Sequence, residues 1–260
     1  MKEFHSIVIT GASGGIGRAL VYELARPGTS LLLLGRNISK LKEVSEEARS
    51  KGAMAEFAFC DVTDGGQLSK LVREFDARRN VDLLVANAGV SSGLGQGQSP
   101  EPEGHAQRLI EVNLIGAINT VETLLPEMIT RKAGHIAIVS SLAGVRPHAD
   151  MPSYSASKSG LRAYGIALRG WLRGKGVGVS VIMPGFVTSP MSARHHGPKP
   201  FEVSAENAAK IIVRGIRNNR SMISFPWQLL LLIRLGNLLP APVSDWFERR
   251  FAAEIRPENE

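Results

Sequence analysis

The chain has 260 residues, of which 43% are hydrophobic, and this length and composition suit one α/β domain, 1–260, with a large core. Its one cysteine, Cys60, excludes an intramolecular disulfide, and its first residues lack the regions of a secretory signal, so we expect a cytoplasmic location. The net charge is +7, but no nucleic-acid motif accompanies it and only 6% of residues are aromatic, so we expect no nucleic-acid partner.

Short apolar runs alternate with amphipathic stretches along most of the chain. The predicted strands are 5–10, 30–35, 55–60, 81–89, 135–141, 177–185 and 221–226, and the predicted helices end near Arg26 and Gly52 and cover 64–78, 103–131 and 152–174. Continuous runs of Val, Ile and Leu are typical of strands that are buried on both faces. We therefore expect a Rossmann-type, doubly wound and mostly parallel sheet of about seven strands with helices on both faces.

A glycine-rich segment, TGASGGIG (10–17), joins the first predicted strand to the first predicted helix. Glycine lets the backbone approach a pyrophosphate, which the free N–H groups of the helix N-terminus can bind. The spacing is G-x-x-x-G-x-G rather than G-x-G-x-x-G, so the segment shares the mechanism of that fingerprint and not its pattern. The cofactor contacts predicted here are Gly11, Ser13, Gly15, Ile16 and Gly17.

The end of the second predicted strand bears on the choice of dinucleotide. An acidic residue there would bind the free 2′-hydroxyl of NAD, but this strand ends in Gly35-Arg36-Asn37. Arg36 can pair with a 2′-phosphate, and no carboxylate is present to repel one. We therefore expect NADP(H) to be preferred. NAD(H) is the alternative, in which case Arg36 merely begins the next helix.

Four features in chain order carry a family resemblance: TGASGGIG (10–17), NAG (87–89), a serine thirteen residues before YSASK (154–158), and PG (184–185). Together they resemble the short-chain dehydrogenase/reductase family over about residues 5 to 190. The resemblance implies a Rossmann-type fold and a nicotinamide-dependent oxidoreductase that acts on a carbonyl or a secondary alcohol.

The resemblance also implies four catalytic residues. Tyr154 is the acid/base, and Lys158 lies one helical turn away, where its charge favours the phenolate and reaches the nicotinamide ribose. Ser141, rather than Ser140, lies thirteen residues before the tyrosine and holds the substrate oxygen. Asn113 completes the proton relay by holding a water.

Further cofactor contacts follow from the same resemblance. They are Asp61 and Val62 near the adenine, Asn87 and Gly89 near the adenosine ribose, and Pro184, Gly185, Val187 and Ser189 after the sixth strand. Ser189 stands where the family has threonine in PGxxxT. Serine keeps the hydroxyl, so we expect its contact with the nicotinamide carboxamide to be retained.

The leading hypothesis is thus an NADP(H)-dependent oxidoreductase that forms a homodimer or homotetramer through helices 103–131 and 152–174. The alternative is a dinucleotide-binding redox sensor or scaffold, but such proteins usually lose the tyrosine or the lysine. An epimerase or dehydratase of nucleotide-linked sugars would need a larger substrate domain than the about 70 residues after Ser189.

The substrate is expected to lie between the least patterned segments of the chain, 91–104, 142–153 and 190–202. Arg146 and His148 either contact a polar substrate group or lie on the surface. His195 and His196 are adjacent, so they point in different directions, and no cluster of Cys, Asp or Glu joins them. We therefore expect no metal site.

The segment FPWQLLLLIRLGNLLP (225–240) begins an apolar C-terminal extension, 226–251, expected to pack on or near the domain. Pro226 and Arg234 make it too short to span a membrane. Three interpretations remain: a buried helix, an oligomer contact, or a surface that enters the inner face of a membrane and admits a hydrophobic, acyl-chain substrate. Trp227 and the basic charge suit peripheral membrane contact.

Overall fold

The computed structural model describes residues 2–240 and 254–255. Its strands are β1 (Ser6–Thr10), β2 (Ser30–Gly35), β3 (Met54–Phe59), β4 (Leu83–Ala86), β5 (Gly134–Val139), β6 (Val177–Pro184), β7 (His195–His196), β8 (Met222–Phe225) and β9 (Glu254–Ile255). Seven of them form one parallel sheet in the order β3-β2-β1-β4-β5-β6-β8. This confirms the predicted Rossmann-type sheet, including its last strand.

Helices connect these strands. They are α1 (Gly15–Leu24), α2 (Ile38–Ser50), α3 (Gly65–Arg79), α4 (His105–Ile110), α5 (Gly116–Glu122), α6 (Leu125–Thr130), α7 (Pro152–Trp171), α8 (Pro190–Ala193), α9 (Ala205–Arg217) and α10 (Trp227–Gly236). Among the helices of the described residues, none combines the length and the apolar character that crossing a membrane requires.

Both faces of the sheet are buried, as the continuous apolar runs predict. On β1, Ile7 and Ile9 point into one core, which α1, α2 and α9 cover, while Val8 points into the opposite core under α3, α5 and α7. The sheet therefore forms the middle of three layers. Its carboxyl edge is left for the loops that follow the strands.

The predicted helix 103–131 differs from the structure, which breaks it twice. A π-helical turn, Glu111–Ile115, separates α4 from α5, and α6 begins as a new helix with Pro126 in its first turn. Proline has no N–H to continue a helix, and a π turn accommodates one extra residue. The wider turn carries Asn113, one of the predicted site residues.

The region after β6 is more ordered than the sequence analysis predicts. Segment 190–202, expected to be loop, contains α8 and β7, and β7 pairs antiparallel with β9, so that His195 lies opposite Ile255. Helix α9 was not predicted. Ser204 caps it by accepting a hydrogen bond from the Asn207 N–H at 3.2 Å, and its apolar face packs on α1.

Candidate active site

A large open cavity of about 1630 Å³ runs along the carboxyl edge of the sheet. Its lining includes a residue that follows each of five strands: Gly11, Arg36, Asn87, Ser141 and Gly185. Ligands of doubly wound sheets bind at this edge, where the strand order reverses. All the predicted site residues line the cavity except Gly17 and Asn113.

The glycine turn after β1 has the geometry of a dinucleotide cradle. Gly11 and Gly15 have φ angles of +65° and +52°, which favour glycine, and a Cβ on Gly11 would lie 2.8 Å from the Ala88 Cα. Gly14 caps α1 without a side chain, so the first N–H groups of the helix receive no side-chain hydrogen bond from their cap. A pyrophosphate fits these features because it supplies the missing acceptors.

Gly17 does not line the cavity but lies in α1, where the helix packs against the backbone of the glycine turn. A Cβ there would lie 2.1 Å from the Gly11 carbonyl oxygen, so only glycine lets α1 pack this closely. Asn87 fixes the turn from the other side, because its Nδ2 donates to the carbonyl oxygens of Thr10 at 3.0 Å and Gly11 at 3.1 Å. Both residues therefore shape the cradle.

At the opposite end from Ser141 the cavity is lined by cations and one carboxylate. Arg36 follows β2, and Lys40 lies one turn further on, in α2. Asp61 accepts hydrogen bonds from the Thr63 N–H at 3.0 Å and hydroxyl at 2.8 Å, and Arg108 Nη2 lies 3.5 Å from it. Burial alone would raise the pKa of Asp61, but these partners hold it below its usual value. Sequence reasoning missed Lys40 and Arg108.

Tyr154 and Lys158 lie on the same face of α7. Lys158 is 4% exposed, its Nζ donates to the Val139 carbonyl oxygen at 3.2 Å, and it lies 5.8 Å from the centre of the Tyr154 ring. Burial lowers the pKa of Lys158 to about 8. Burial also raises the pKa of Tyr154, against the effect of a hydrogen bond with Ser141. The effect of burial on Tyr154 is therefore larger than the stabilisation of its phenolate that the sequence analysis expects, and Tyr154 holds its proton at neutral pH.

Ser141 and Asn113 fix the surroundings of this pair. Ser141 Oγ accepts from the Ala143 N–H at 3.1 Å and reaches the Pro184 carbonyl oxygen at 3.5 Å. Asn113 is fully buried, and its amide exchanges hydrogen bonds with the backbone of Val90, at 2.8 and 3.0 Å.

Asn113 also ties the segment after β4 to α7. Its Nδ2 donates to Ser157 Oγ at 3.2 Å as well as to Val90, so both of its N–H groups are used and a water could be held only through Oδ1. Gly89 keeps this region open, since a Cβ there would lie 3.1 Å from Asn113 Oδ1 and 3.4 Å from Lys158 Nζ.

The segment after β6 closes the cradle. Pro184, Gly185, Val187 and Ser189 all line the cavity. Ser189 caps α8 by accepting from the Ser192 N–H at 3.0 Å, which leaves its hydroxyl hydrogen able to donate. A Cβ on Gly15 would lie 3.3 Å from Ser189 Cβ, so this hydroxyl lies beside the glycine turn.

Comparison with known proteins identifies the family. The sequence profile of the family described as short chain dehydrogenase matches residues 5–198. The chain belongs to the short-chain dehydrogenase/reductase family. It is 38% identical over 248 residues to an uncharacterized oxidoreductase of Myxococcus xanthus, covering 95% of this chain and 97% of that protein.

Two further relatives of this short-chain dehydrogenase/reductase carry more specific descriptions. The ketoacyl reductase HetN of Nostoc sp. is 31% identical over 257 residues, 93% of this chain and 88% of that protein. A short-chain dehydrogenase/reductase from Burkholderia phymatum, solved in complex with NAD, has a TM-score of 0.81 at 25% identity and covers 100% of this chain and 99% of its own. The chain is therefore a nicotinamide-dependent oxidoreductase.

The other half of the cavity in this dehydrogenase/reductase is lined by the loop before α7 and by α10. Arg146 and His148 both line it. Arg146 Nη1 donates to Asn237 Oδ1 at 2.9 Å, and the His148 N–H donates to Ser155 Oγ at 3.0 Å. The loop is thus joined to the end of α10 and to the start of α7, beside Tyr154.

Helix α10 is not buried, so the first of the three interpretations of 225–240 is wrong. Leu229 and Ile233 pack against a small core under β6, but the opposite face is exposed, with Trp227 at 67% and Leu231 at 48%. Residues 241–251 of the predicted extension lie outside the described residues.

Proposed function

We propose that this enzyme transfers hydride between a bound NADP(H) and a carbonyl or secondary alcohol, using Tyr154, Lys158, Ser141 and Asn113. The observation that carries the proposal is the placement of Tyr154 beside the buried Lys158 in the cavity that also contains Ser141 and the glycine cradle. When bound, the reduced dinucleotide supplies the hydride to the carbonyl carbon.

The side chains of the site bind the substrate oxygen and transfer a proton to it. Ser141 Oγ donates to the oxygen as negative charge develops there, and the Tyr154 hydroxyl gives it a proton. The phenolate left behind is stabilised by the Lys158 ammonium, which is mostly protonated at neutral pH because its pKa is about 8. In the direction of alcohol oxidation the same groups act in reverse.

Asn113 serves this chemistry by position. It bonds to both Val90 and Ser157, and its Oδ1 lies near the Lys158 ammonium beside Gly89, where it can also accept a hydrogen bond from a water. The dinucleotide would rest on Gly11, Ser13, Gly15 and Ile16, with Asn87 and Gly89 at the adenosine ribose and Asp61 and Val62 at the adenine.

We further propose that NADP(H) is the preferred cofactor, since Arg36 and Lys40 line the end of the cavity opposite Ser141. Arg36→Ala is expected to lower kcat/KM for NADPH by about ten- to a hundredfold, the range for losing a charge-assisted hydrogen bond, and to leave NADH use almost unchanged. Steady-state kinetics with both cofactors measure this. Arg36→Lys keeps the charge and serves as the control. An equal loss with both cofactors would contradict the preference.

We propose that the exposed face of α10 docks on an anionic lipid surface. Trp227, Leu231 and Leu235 form a stripe at helical spacing, the exposed Leu238 follows just past the end of α10, and Arg234 is exposed beside them. An interfacial helix combines apolar side chains that enter the lipid with cations that meet its headgroups.

The same helix connects this surface to the site. Leu232, Leu235 and Leu239 are exposed and also line the cavity, so a substrate leaving the lipid meets apolar walls at once. We therefore propose a hydrophobic, acyl-chain substrate, which the ketoacyl reductase among the relatives also favours.

Self-association is proposed to use another surface. Ile166 and Trp171 of α7 and Ile115 of the π turn are exposed, apolar and remote in sequence from α10, and they lie in the segments expected to form a homodimer or homotetramer.

One experiment tests the lipid surface against an oligomer contact. The wild-type protein is expected to float with vesicles that contain anionic lipid, and the variant Leu231→Glu with Leu235→Glu to remain in solution, because each charge enters an apolar layer at high cost. Sedimentation of the double variant should match that of the wild type. A smaller oligomer in the variant would instead assign α10 to a subunit interface. Failure of the wild type to bind vesicles would contradict the membrane proposal.

A further inference from the structure

His195 has a buried hydrogen-bonding atom that the mechanism does not use. Its side chain is 8% exposed and lines the cavity, and its Nε2 has no hydrogen-bond partner among the residues that the structure describes. A buried polar atom without a partner destabilises the folded protein, and native structures leave few of them. This atom therefore calls for a partner that the described part of the chain does not provide.

The other ring nitrogen decides what kind of partner Nε2 needs. The ring makes a hydrogen bond with the backbone of Pro198, and because proline has no N–H, the Pro198 carbonyl oxygen must accept it. Since Nε2 has no partner, Nδ1 is the donor. Burial, which lowers the pKa of His195, keeps the ring neutral, so Nε2 carries a lone pair and can only accept.

The described surroundings of His195 include two aromatic rings and one carboxylate. The ring lies 5.0 Å from the Phe186 ring and 6.4 Å from the His148 ring, measured between centres, and pairing of β7 with β9 fixes its backbone. His148 is accompanied by Asp150, whose carboxylate is 3.7 Å from its Nδ1. Even so, within the described ranges no group of three or more His, Cys, Asp or Glu could hold a metal ion.

We infer that His195 binds the substrate, with Nε2 accepting a hydrogen bond from a hydroxyl or N–H group carried near the reacting carbonyl. The preferred substrate is then an apolar carbonyl compound, or the corresponding alcohol, with one further hydrogen-bond donor. This inference rests on the proposed function, because it places the carbonyl at Tyr154. His195 and Tyr154 line the same cavity, and the His195 ring lies 6.4 Å from the ring of His148, whose backbone N–H donates to Ser155 Oγ, next to Tyr154. We therefore place the donor on the part of the substrate that adjoins the carbonyl.

Matched ketones test this assignment. The probes are 2-octanone and its counterparts with a hydroxyl group on carbon 1, 3 or 4, reduced with NADPH. The wild type is expected to favour at least one hydroxylated ketone by about ten- to a hundredfold in kcat/KM, because 2-octanone leaves Nε2 unpaired. His195→Phe, which keeps a flat ring and removes the acceptor, should abolish that preference.

Two more variants show whether the preference depends on the hydrogen bond to His195 or on the shape of its ring. His195→Gln places an amide oxygen near the position of Nε2 and should retain part of the preference, whereas His196→Phe, at the exposed neighbour in the same strand, should leave it intact. A wild type without any preference would overturn the assignment. So would equal losses on all four ketones in His195→Phe, which would make His195 a packing residue only. No turnover of any ketone by the wild type would count against the proposed carbonyl activity and the assignment together, whereas turnover without preference counts against His195 alone.

Discussion

Tyr154→Phe is expected to lower kcat by about a hundredfold or more, the range for removing a general acid, while the dissociation constant of the dinucleotide changes little. The phenol is the group that holds a proton beside Ser141, and phenylalanine preserves the ring that packs near Lys158. Turnover with an accepted ketone and fluorescence titration with NADPH measure the two quantities separately.

A second tyrosine on the same helix provides the control. Tyr164 is half-buried, packs against the core under α7 and is not among the residues that line the cavity, so it takes no part in proton transfer to the substrate. Tyr164→Phe should therefore turn over like the wild type. Activity close to that of the wild type in Tyr154→Phe would place the proton donor elsewhere in the cavity.

The sheet could be predicted from sequence because one local property determines it. A strand buried on both faces needs apolar residues on both, and the run through Ile7, Val8 and Ile9 shows this without any knowledge of its neighbours. The order of the strands is a property of the whole sheet, and the apolar runs alone do not specify it. The glycine turn was predicted for the same reason, since its backbone geometry is local.

Features that depend on distant contacts could not be predicted. Strands β7 and β9 have two residues each and lie about 60 positions apart, so no periodicity reveals their pairing. The π turn at Asn113 was hidden because an extra residue in a turn leaves a helical pattern almost unchanged. Helix α9, in contrast, had a signal that was overlooked: Ser204 as a cap, followed by apolar residues at intervals of three and four.

In the site, too, local features could be predicted from the sequence and features that depend on tertiary contacts could not. Their spacing placed Tyr154 and Lys158 on one face of a helix, the family resemblance added Ser141, and the structure brings all three to one cavity. The direction of the pKa of Tyr154 could not be read from the spacing, because burial of the phenol decides it. Lys40 could have been found from its position one helical turn after Arg36, while Arg108 depends on tertiary packing.

Lys158→Met is expected to lower turnover by about a hundredfold or more, because the phenolate formed when Tyr154 gives up its proton loses the adjacent ammonium. Methionine is unbranched and fills a similar volume, so the side chain remains packed. The dissociation constant of the dinucleotide should rise as well, since Lys158 lies in the cradle beside Gly89. Unchanged turnover in this variant would show that the cation does not assist the proton transfer.

The same substitution has an effect on stability whose sign depends on pH. Burial lowers the pKa of Lys158 from 10.5 to about 8, so the buried ammonium costs about 3 kcal/mol below pH 8. Between these two values the unfolded chain binds more protons than the folded one, and the free energy of unfolding of the wild type therefore rises with pH. Lys158→Met lacks this dependence. It also leaves the Val139 carbonyl oxygen without its donor, but that loss is the same at every pH.

The change of the unfolding free energy with pH, rather than its value at any one pH, is thus the quantity to measure. Urea denaturation of both proteins between pH 8 and pH 10 should show the difference in unfolding free energy, wild type minus variant, rising by about 1 kcal/mol per pH unit on average. Other titrating groups are present in both proteins and cancel. A difference independent of pH would mean that the folded protein stabilises the ammonium as well as water does. The predicted slope would instead establish that the buried charge of Lys158 weakens the fold at neutral pH, and the loss of turnover in the same variant would assign that charge a part in proton transfer by Tyr154.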